Sequence, residues 1–165
     1  EFGMEMEFKA MSVDELKDFL MEKAIKFSPY SQEEIDKVKN KLGGMPRLLE
    51  EYYLKIGWFA DIRKQGYGCH IDPLEDIYIM SAEEIQEDFE DVENETDDYL
   101  VFGREAVSVD EFAVKVKDFG ENDPELYIFG DSTSEEAMEQ GLLFGKLEEE
   151  PNLSSMFNII VTSLE

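Results

Sequence analysis

The chain has 165 residues, of which 42% are hydrophobic and 12% aromatic, enough apolar material for one compact core and too little length for two full domains. Acidic residues outnumber basic ones by 41 to 15 and give a net charge of −26, which disfavours nucleic acids and anionic membranes because both are bound through Lys and Arg. The single cysteine, Cys69, excludes an internal disulfide, and no stretch approaches the roughly 20 apolar residues of a membrane span, so we expect a cytoplasmic protein.

A short tail is predicted to precede a single domain. Residues 1–10 form this tail, and its first three residues resemble a cloning remnant ahead of Met4. The domain is predicted to span residues 11–165, and its last two residues are interpreted in the same way as the first three.

Three helices are predicted in the first third of the chain. Capping boxes mark the starts of the first two, one spanning about residues 12–26 and one beginning at Ser31 and ended by Gly43-Gly44. Pro46 starts the third helix at a position where its missing N–H costs nothing, and Gly57 ends it.

The middle of the chain has the patterns of short strands. The stretch from residue 58 to 73 is weakly patterned, and a third capping box at Ser81 then starts an amphipathic helix. Residues 111–117 alternate apolar and polar side chains, as in a half-buried antiparallel strand. The predicted strands cover residues 77–80, 99–102, 111–117, 126–129 and 142–144.

An amphipathic helix from Leu153 to Leu164 closes the chain. The order of elements is helices first, then a strand-rich middle, then one helix. We therefore predict an α+β domain, in which the N-terminal helices and the C-terminal helix pack on a largely antiparallel β-sheet.

Residues 42–57, LGGMPRLLEEYYLKIG, resemble the opening signature of the SUKH superfamily (Smi/Knr-like). Its members share a Leu-Gly pair, a hydrophobic-Pro step, an aromatic-bearing helix and a glycine. The residues that match these features are Leu42, Gly43, Pro46, Leu49, Tyr52 and Gly57. Capping and packing account for all six, so we interpret them as fold markers.

Three later stretches, at residues 80–85, 102–118 and 122–127, are similar to the family in the same order, and the likeness covers about residues 31–165. The resemblance implies a non-catalytic protein. Many bacterial SUKH proteins are immunity proteins that neutralise polymorphic toxins, often nucleases or deaminases, and eukaryotic relatives are regulatory interaction modules. Both roles are binding roles, and no cofactor or metal is expected.

The charge distribution agrees with a cationic protein partner. Residues 1–64 carry 13 acids and 11 bases, whereas residues 65–165 carry 28 acids and four bases, a net charge of −24. A toxin that handles nucleic acid tends to be basic, and an acidic inhibitor would be steered towards it.

The densest acidic segment, residues 83–98, holds ten carboxylates and no Lys or Arg. It has two interpretations: the solvated face of a helix, or a surface that binds the partner. In the second case an aromatic anchor is also needed. The candidate partner-binding residues are Glu84, Glu87, Asp88, Asp91, Asp97 and Asp98, with the aromatics Trp58, Phe59, Tyr67 and Tyr78. Each of the four aromatics has a place in the core as its alternative.

Cys69 and His70 are the only adjacent pair that resembles catalytic or metal chemistry. In an extended segment neighbouring side chains point in opposite directions, which makes a direct Cys–His dyad awkward. We expect an ordinary loop or half-buried pair here, with Asp72 within reach of His70. The alternative is a small hydrolase or metal enzyme that uses these three residues.

Overall fold

The computed structural model describes residues 10–59, 69–88, 96–105, 111–129 and 152–164. Within these ranges five helices and a five-stranded antiparallel sheet form an α+β fold, which confirms the predicted fold class. The helices α1 to α5 span Val13–Glu22, Gln32–Leu42, Arg47–Lys55, Ala82–Asp88 and Leu153–Leu164. The strands β1 to β5 span Cys69–Ile71, Tyr78–Met80, Tyr99–Glu105, Glu111–Lys115 and Tyr127–Phe129. None of the helices in this part of the chain combines the length and apolar character of a membrane span.

The capping boxes of α1 and α2 form as predicted. Ser12 Oγ accepts a hydrogen bond from the Glu15 backbone N–H at 3.0 Å, the Glu15 carboxylate accepts one from the Ser12 N–H, and Ser31 repeats the arrangement. The predicted end of α1 at residue 26 is wrong. The helix stops at Glu22 because Ala24 adopts a positive φ of 58°, in the left-handed region where a helix cannot continue.

Gly57 follows α3 and fixes the chain that leads to Trp58. Its φ is +77°, and a Cβ at this position would overlap the carbonyl oxygen of Ser28. Ser28 and Trp58 exchange two backbone hydrogen bonds, at 2.8 and 3.1 Å. The close approach therefore requires a glycine here. Pro46 lies one position earlier than predicted, at the N-cap of α3.

The strand order is β1-β3-β4-β5, with β2 also paired to β3. Strand β1 was not predicted, because its three residues are all buried and show no alternation. The strand predicted over residues 111–117 ends at Lys115, and a 3-10 turn, Val116–Asp118, replaces its last part. The strand predicted at residues 142–144 lies outside the described residues.

One face of the sheet is covered by α1, α3 and α5, which pack on one another. Helix α5 was predicted to be amphipathic, but every residue from Leu153 to Val161 is buried. It is enclosed because it contacts β1 on one side and α1 and α3 on the other. Its polar N-terminus is satisfied by Asp123, whose carboxylate accepts hydrogen bonds from the Ser154 N–H and hydroxyl at 2.8 and 2.7 Å.

The other face of the sheet is covered in part by α4. A small cluster of Ile85, Tyr99, Val101 and Ala113 is buried there, apart from the main core. Because Ala113 is buried against this cluster, β4 is covered on both sides, and the expectation of a half-buried strand is corrected.

A register shift changes what the rest of this second face carries. Between β3 and β4 the pairing moves from Val101 with Ala113 to Gly103 with Phe112. The extra residue of such a β-bulge reverses the alternation along β3. Arg104 consequently pairs with Glu111 and faces the same side as Val101.

Candidate functional site

Helix α4 carries the start of the acidic run. Ile85 is fully buried against the sheet, whereas Glu83, Glu84 and Glu87 are exposed. The apolar stripe therefore faces inward and the carboxylates face solvent, as the helical spacing predicts. Asp88 is the last residue of α4, and Asp91 lies outside the described residues.

The last two candidates in the acidic run make contacts within the fold. Asp97 Oδ2 lies 2.9 Å from Lys115 Nζ, and the hydrogen bond from Lys115 holds the pKa of Asp97 below its usual value. Asp98 Oδ1 accepts a hydrogen bond from the Ala82 N–H at 2.8 Å and so supports the start of α4. Asp97 therefore ties the segment before β3 to β4, and Asp98 ties the same segment to the start of α4.

The candidate aromatic anchors have different environments. Phe59 is only 3% exposed and belongs to the main core, so its prediction as a surface anchor is wrong. Trp58 is partly exposed, and Tyr78 is 37% exposed. Tyr67 lies outside the described residues. Of the candidate anchors that the structure describes, Trp58 and Tyr78 are therefore the ones that a ligand could contact.

Cys69 and His70 lie in β1 and are both buried, so the expectation of a loop or half-buried pair is wrong. The side chain of Cys69 joins the main core. His70 is cross-strand partner to Arg104, on the second face of the sheet. The alternation of a strand separates the two side chains, so the geometry gives no support to a Cys–His dyad.

His70, Asp72 and Arg104 form a cluster in which His70 and Asp72 are buried and Arg104 is partly exposed. His70 Nε2 lies 3.1 Å from Asp72 Oδ1, and Arg104 donates to both carboxylate oxygens, from Nε at 3.0 Å and from Nη2 at 2.7 Å. Burial would raise the pKa of Asp72, but the hydrogen bonds from His70 and Arg104 outweigh it and lower the pKa. Asp72 is therefore held ionised.

The cluster continues to the strands on either side. Arg104 Nη2 also lies 3.6 Å from Glu111 Oε2, which accepts a hydrogen bond from the Tyr78 hydroxyl at 2.9 Å. The hydrogen bond from Arg104 to Asp72 raises the pKa of the guanidinium further. The positive charge of Arg104 is thus shared between two carboxylates.

A surface cavity of about 560 Å³ opens beside this cluster. The described residues that line it are Trp58, His70, Asp72, Pro73, Asp76 and Arg104. The rings of Trp58 and His70 pack edge to face, with centroids 5.9 Å apart and planes at 82°. The cavity therefore combines one aromatic wall with a buried polar floor.

Trp58, His70 and Asp72 were named as candidate functional residues from the sequence alone, whereas Arg104 and Asp76 were missed. The sequence signal for Arg104 is weak, because its placement depends on the bulge in β3. Asp76 sits in a 3-10 turn, Leu74–Asp76, that has no distinctive pattern. No group of three or more His, Cys, Asp or Glu among the described residues is arranged to hold a metal ion.

The six residues of the family signature lie in the α2–α3 unit and in the turn after it. Leu49 and Tyr52 are fully buried, Pro46 is buried at the N-cap of α3, and Leu42 is partly buried. Gly43 ends α2 with a φ of +84°. Their environments are those of fold-forming residues.

Comparison of the chain with protein-family models, with curated proteins and with solved structures finds no match.

Proposed function

We propose that this protein is a non-catalytic, SUKH-like immunity protein that binds and neutralises a basic toxin domain of the nuclease or deaminase type. The proposal is supported by the signature in residues 42–57 and by the later stretches that resemble the family in the same order. A cytoplasmic location follows from it, because an immunity protein acts where the toxin acts.

The observation that carries the proposal is the acidic surface of α4. Glu83, Glu84 and Glu87 are exposed on one short helix, within a segment of the chain whose net charge is −24 over residues 65–165. An exposed ion pair contributes only about 0 to 1 kcal/mol. Many like charges within a Debye length of about 8 Å act together, however, and accelerate association with a cationic partner.

The test is protection of cells against the toxin domain encoded beside this gene. We expect co-expression of the protein to restore growth and the purified pair to form a complex. Absence of both protection and complex formation would contradict the proposal.

The role of α4 is tested in the same system with the double variant Glu84→Gln/Glu87→Gln. We expect the association rate constant to fall by about 3- to 10-fold at low ionic strength, with a flatter salt dependence, because steering by charge is lost. The matched control is Glu22→Gln/Glu33→Gln, which removes the same charge from exposed residues of α1 and α2. Equal slowing by both variants would show that only net charge matters.

The second candidate function is a regulatory interaction module that binds a host protein. The same acidic surface favours it, since steering does not depend on what the partner does. Capture of one stoichiometric host protein, together with no protection against any neighbouring toxin, would favour this function. A hydrolase or metal enzyme that uses Cys69, His70 and Asp72 is a third proposal, and the separation of Cys69 from His70 gives it no support.

A further inference from the structure

The cavity beside β1 has features that the fold alone does not explain. It lies on the second face of the sheet, beyond the apolar cluster that α4 covers. Cross-strand pairing places His70 beside Arg104 and Arg104 beside Glu111. A row of polar side chains on a sheet face is costly to bury unless each group is satisfied.

One polar atom in this row is not satisfied. His70 is 2% exposed, and its Nδ1 has no hydrogen-bond partner in the part of the chain that the structure describes. Asp72 accepts from Nε2, so Nε2 carries a hydrogen. The unpartnered nitrogen therefore belongs to a residue in the wall of the cavity.

The charges of the cavity favour a cation. Among the described residues that line it, two carboxylates, Asp72 and Asp76, stand against the single guanidinium of Arg104. Arg104 is engaged by Asp72 and shared with Glu111, so it has little attraction left for an anion. The side chain of Asp76 is exposed and has no ion-pair partner among the described residues. The surplus charge of these described residues is negative.

The wall of the cavity favours a planar cation. The indole of Trp58 is partly exposed beside His70. Trp is the best aromatic partner for a cation. A guanidinium can stack on the indole while its five N–H donors point outward in the plane of the guanidinium itself. An ammonium group has the charge but cannot stack in this way.

We propose that this cavity binds a guanidinium group, in the form of an arginine side chain presented by a protein partner. The guanidinium stacks on Trp58 and donates to the carboxylate of Asp76, at the side of the cavity where His70 and Asp72 lie. This inference concerns a part of the surface separate from α4 and does not depend on the partner being a toxin.

Trp58 provides the measurement, because it is the only tryptophan in the chain. The probe is an N-acetylated, C-amidated tripeptide of glycine, arginine and glycine, titrated into the full chain while Trp58 emission is recorded. The matched probe replaces arginine by citrulline, which keeps the shape and removes the charge. We expect a saturable change with the arginine peptide, with a Kd on the order of millimolar, and at least about tenfold weaker binding with citrulline.

The variant that tests the site is Asp76→Asn, because this side chain is exposed and its loss leaves the buried cluster intact. We expect it to weaken binding of the arginine peptide about 5- to 10-fold. The control, Asp18→Asn, removes one exposed charge from α1 and should leave the affinity unchanged.

Three results would overturn the proposal: no saturable change with the arginine peptide, equal binding of both peptides, or an unchanged affinity in Asp76→Asn. The outcome is independent of the immunity test. Peptide binding without toxin protection would support the arginine site and contradict the proposed function. Protection without peptide binding would support the proposed function and contradict the arginine site.

Discussion

The two faces of the sheet differ in how they are covered. One face lies under α1, α3 and α5 and forms a large apolar core in which Phe102, Phe112 and Phe157 are fully buried. The other face carries a small apolar cluster under α4 and, beside it, the polar row of His70, Arg104 and Glu111.

This difference separates the face that supplies most of the stability from the face to which we assign the proposed recognition. The covered face follows the rule that apolar groups are removed from water, and its burial supplies most of the hydrophobic stabilisation. The other face keeps charged groups next to a cavity, where desolvation opposes stability and where specific contacts with a ligand become strong. We expect substitutions on the first face to act mainly on folding and substitutions on the second face to act increasingly on binding.

The largest predicted difference between the faces comes from truncating one isoleucine on each. Ile160, in α5, and Ile85, in α4, are both fully buried. Ile160→Ala should destabilise the protein by about 4 kcal/mol, because the large core around it cannot collapse. Ile85→Ala should cost about 2 kcal/mol, because a small cluster under a seven-residue helix relaxes more easily. Urea unfolding of both variants measures the two costs, and equal costs would contradict the comparison.

The next prediction concerns the ion-pair cluster on the polar part of the second face. Asp72→Asn should lower stability at pH 7 by about 2 to 3 kcal/mol, because the substitution leaves Arg104 without its main partner while that guanidinium stays partly solvated. The control is Asp97→Asn, whose carboxylate pairs with Lys115 and is more exposed than that of Asp72, and for it we expect a loss of at most about 1 kcal/mol.

The pH dependence of the Asp72 effect has a defined sign. The pKa of Asp72 is lower in the folded protein than its ordinary value of about 3.9. Its contribution to stability is therefore complete above about pH 4 and is lost as the pH falls through the folded pKa. The stability gap between wild type and Asp72→Asn should narrow below about pH 4, as measured by urea unfolding across pH 2 to 7. A gap that widens on acidification would show that Asp72 is not held ionised by its partners.

Local signals explain why the helical part of the fold was predictable. Ser31 begins α2 with a capping box, Gly43 ends it in the left-handed conformation, and Gly57 follows α3. Each of these effects acts within one helical turn, so it is visible in the sequence. The early end of α1 at Glu22 was missed, because nothing local to alanine predicts the positive φ of Ala24 that stops the helix.

The candidate site was less predictable, because its geometry arises from pairing between distant segments. Strand β1 has three consecutive buried residues that two different layers cover, so it shows no period of two. Arg104 reaches the polar row only because the bulge in β3 reverses the side on which it lies. The closeness of Asp72 to His70 was predicted correctly, since the two residues are near neighbours in one extended segment.

The smallest predicted effect compares two tyrosine hydroxyls, one of which donates to the backbone of Asp72 and the other to the side chain of Glu111. Tyr53, on the core side, donates to the Asp72 carbonyl oxygen at 2.7 Å and is fully buried, so Tyr53→Phe should cost about 1 to 2 kcal/mol. Tyr78 donates to Glu111 at 2.9 Å but is 37% exposed, and water can replace its hydroxyl, so Tyr78→Phe should cost less than about 0.5 kcal/mol. Both losses are measured by urea unfolding. Equal losses would mean that the hydroxyl of Tyr78 stabilises the fold as much as that of Tyr53. Substitutions at the exposed end of the polar row would then change binding only at a cost in stability.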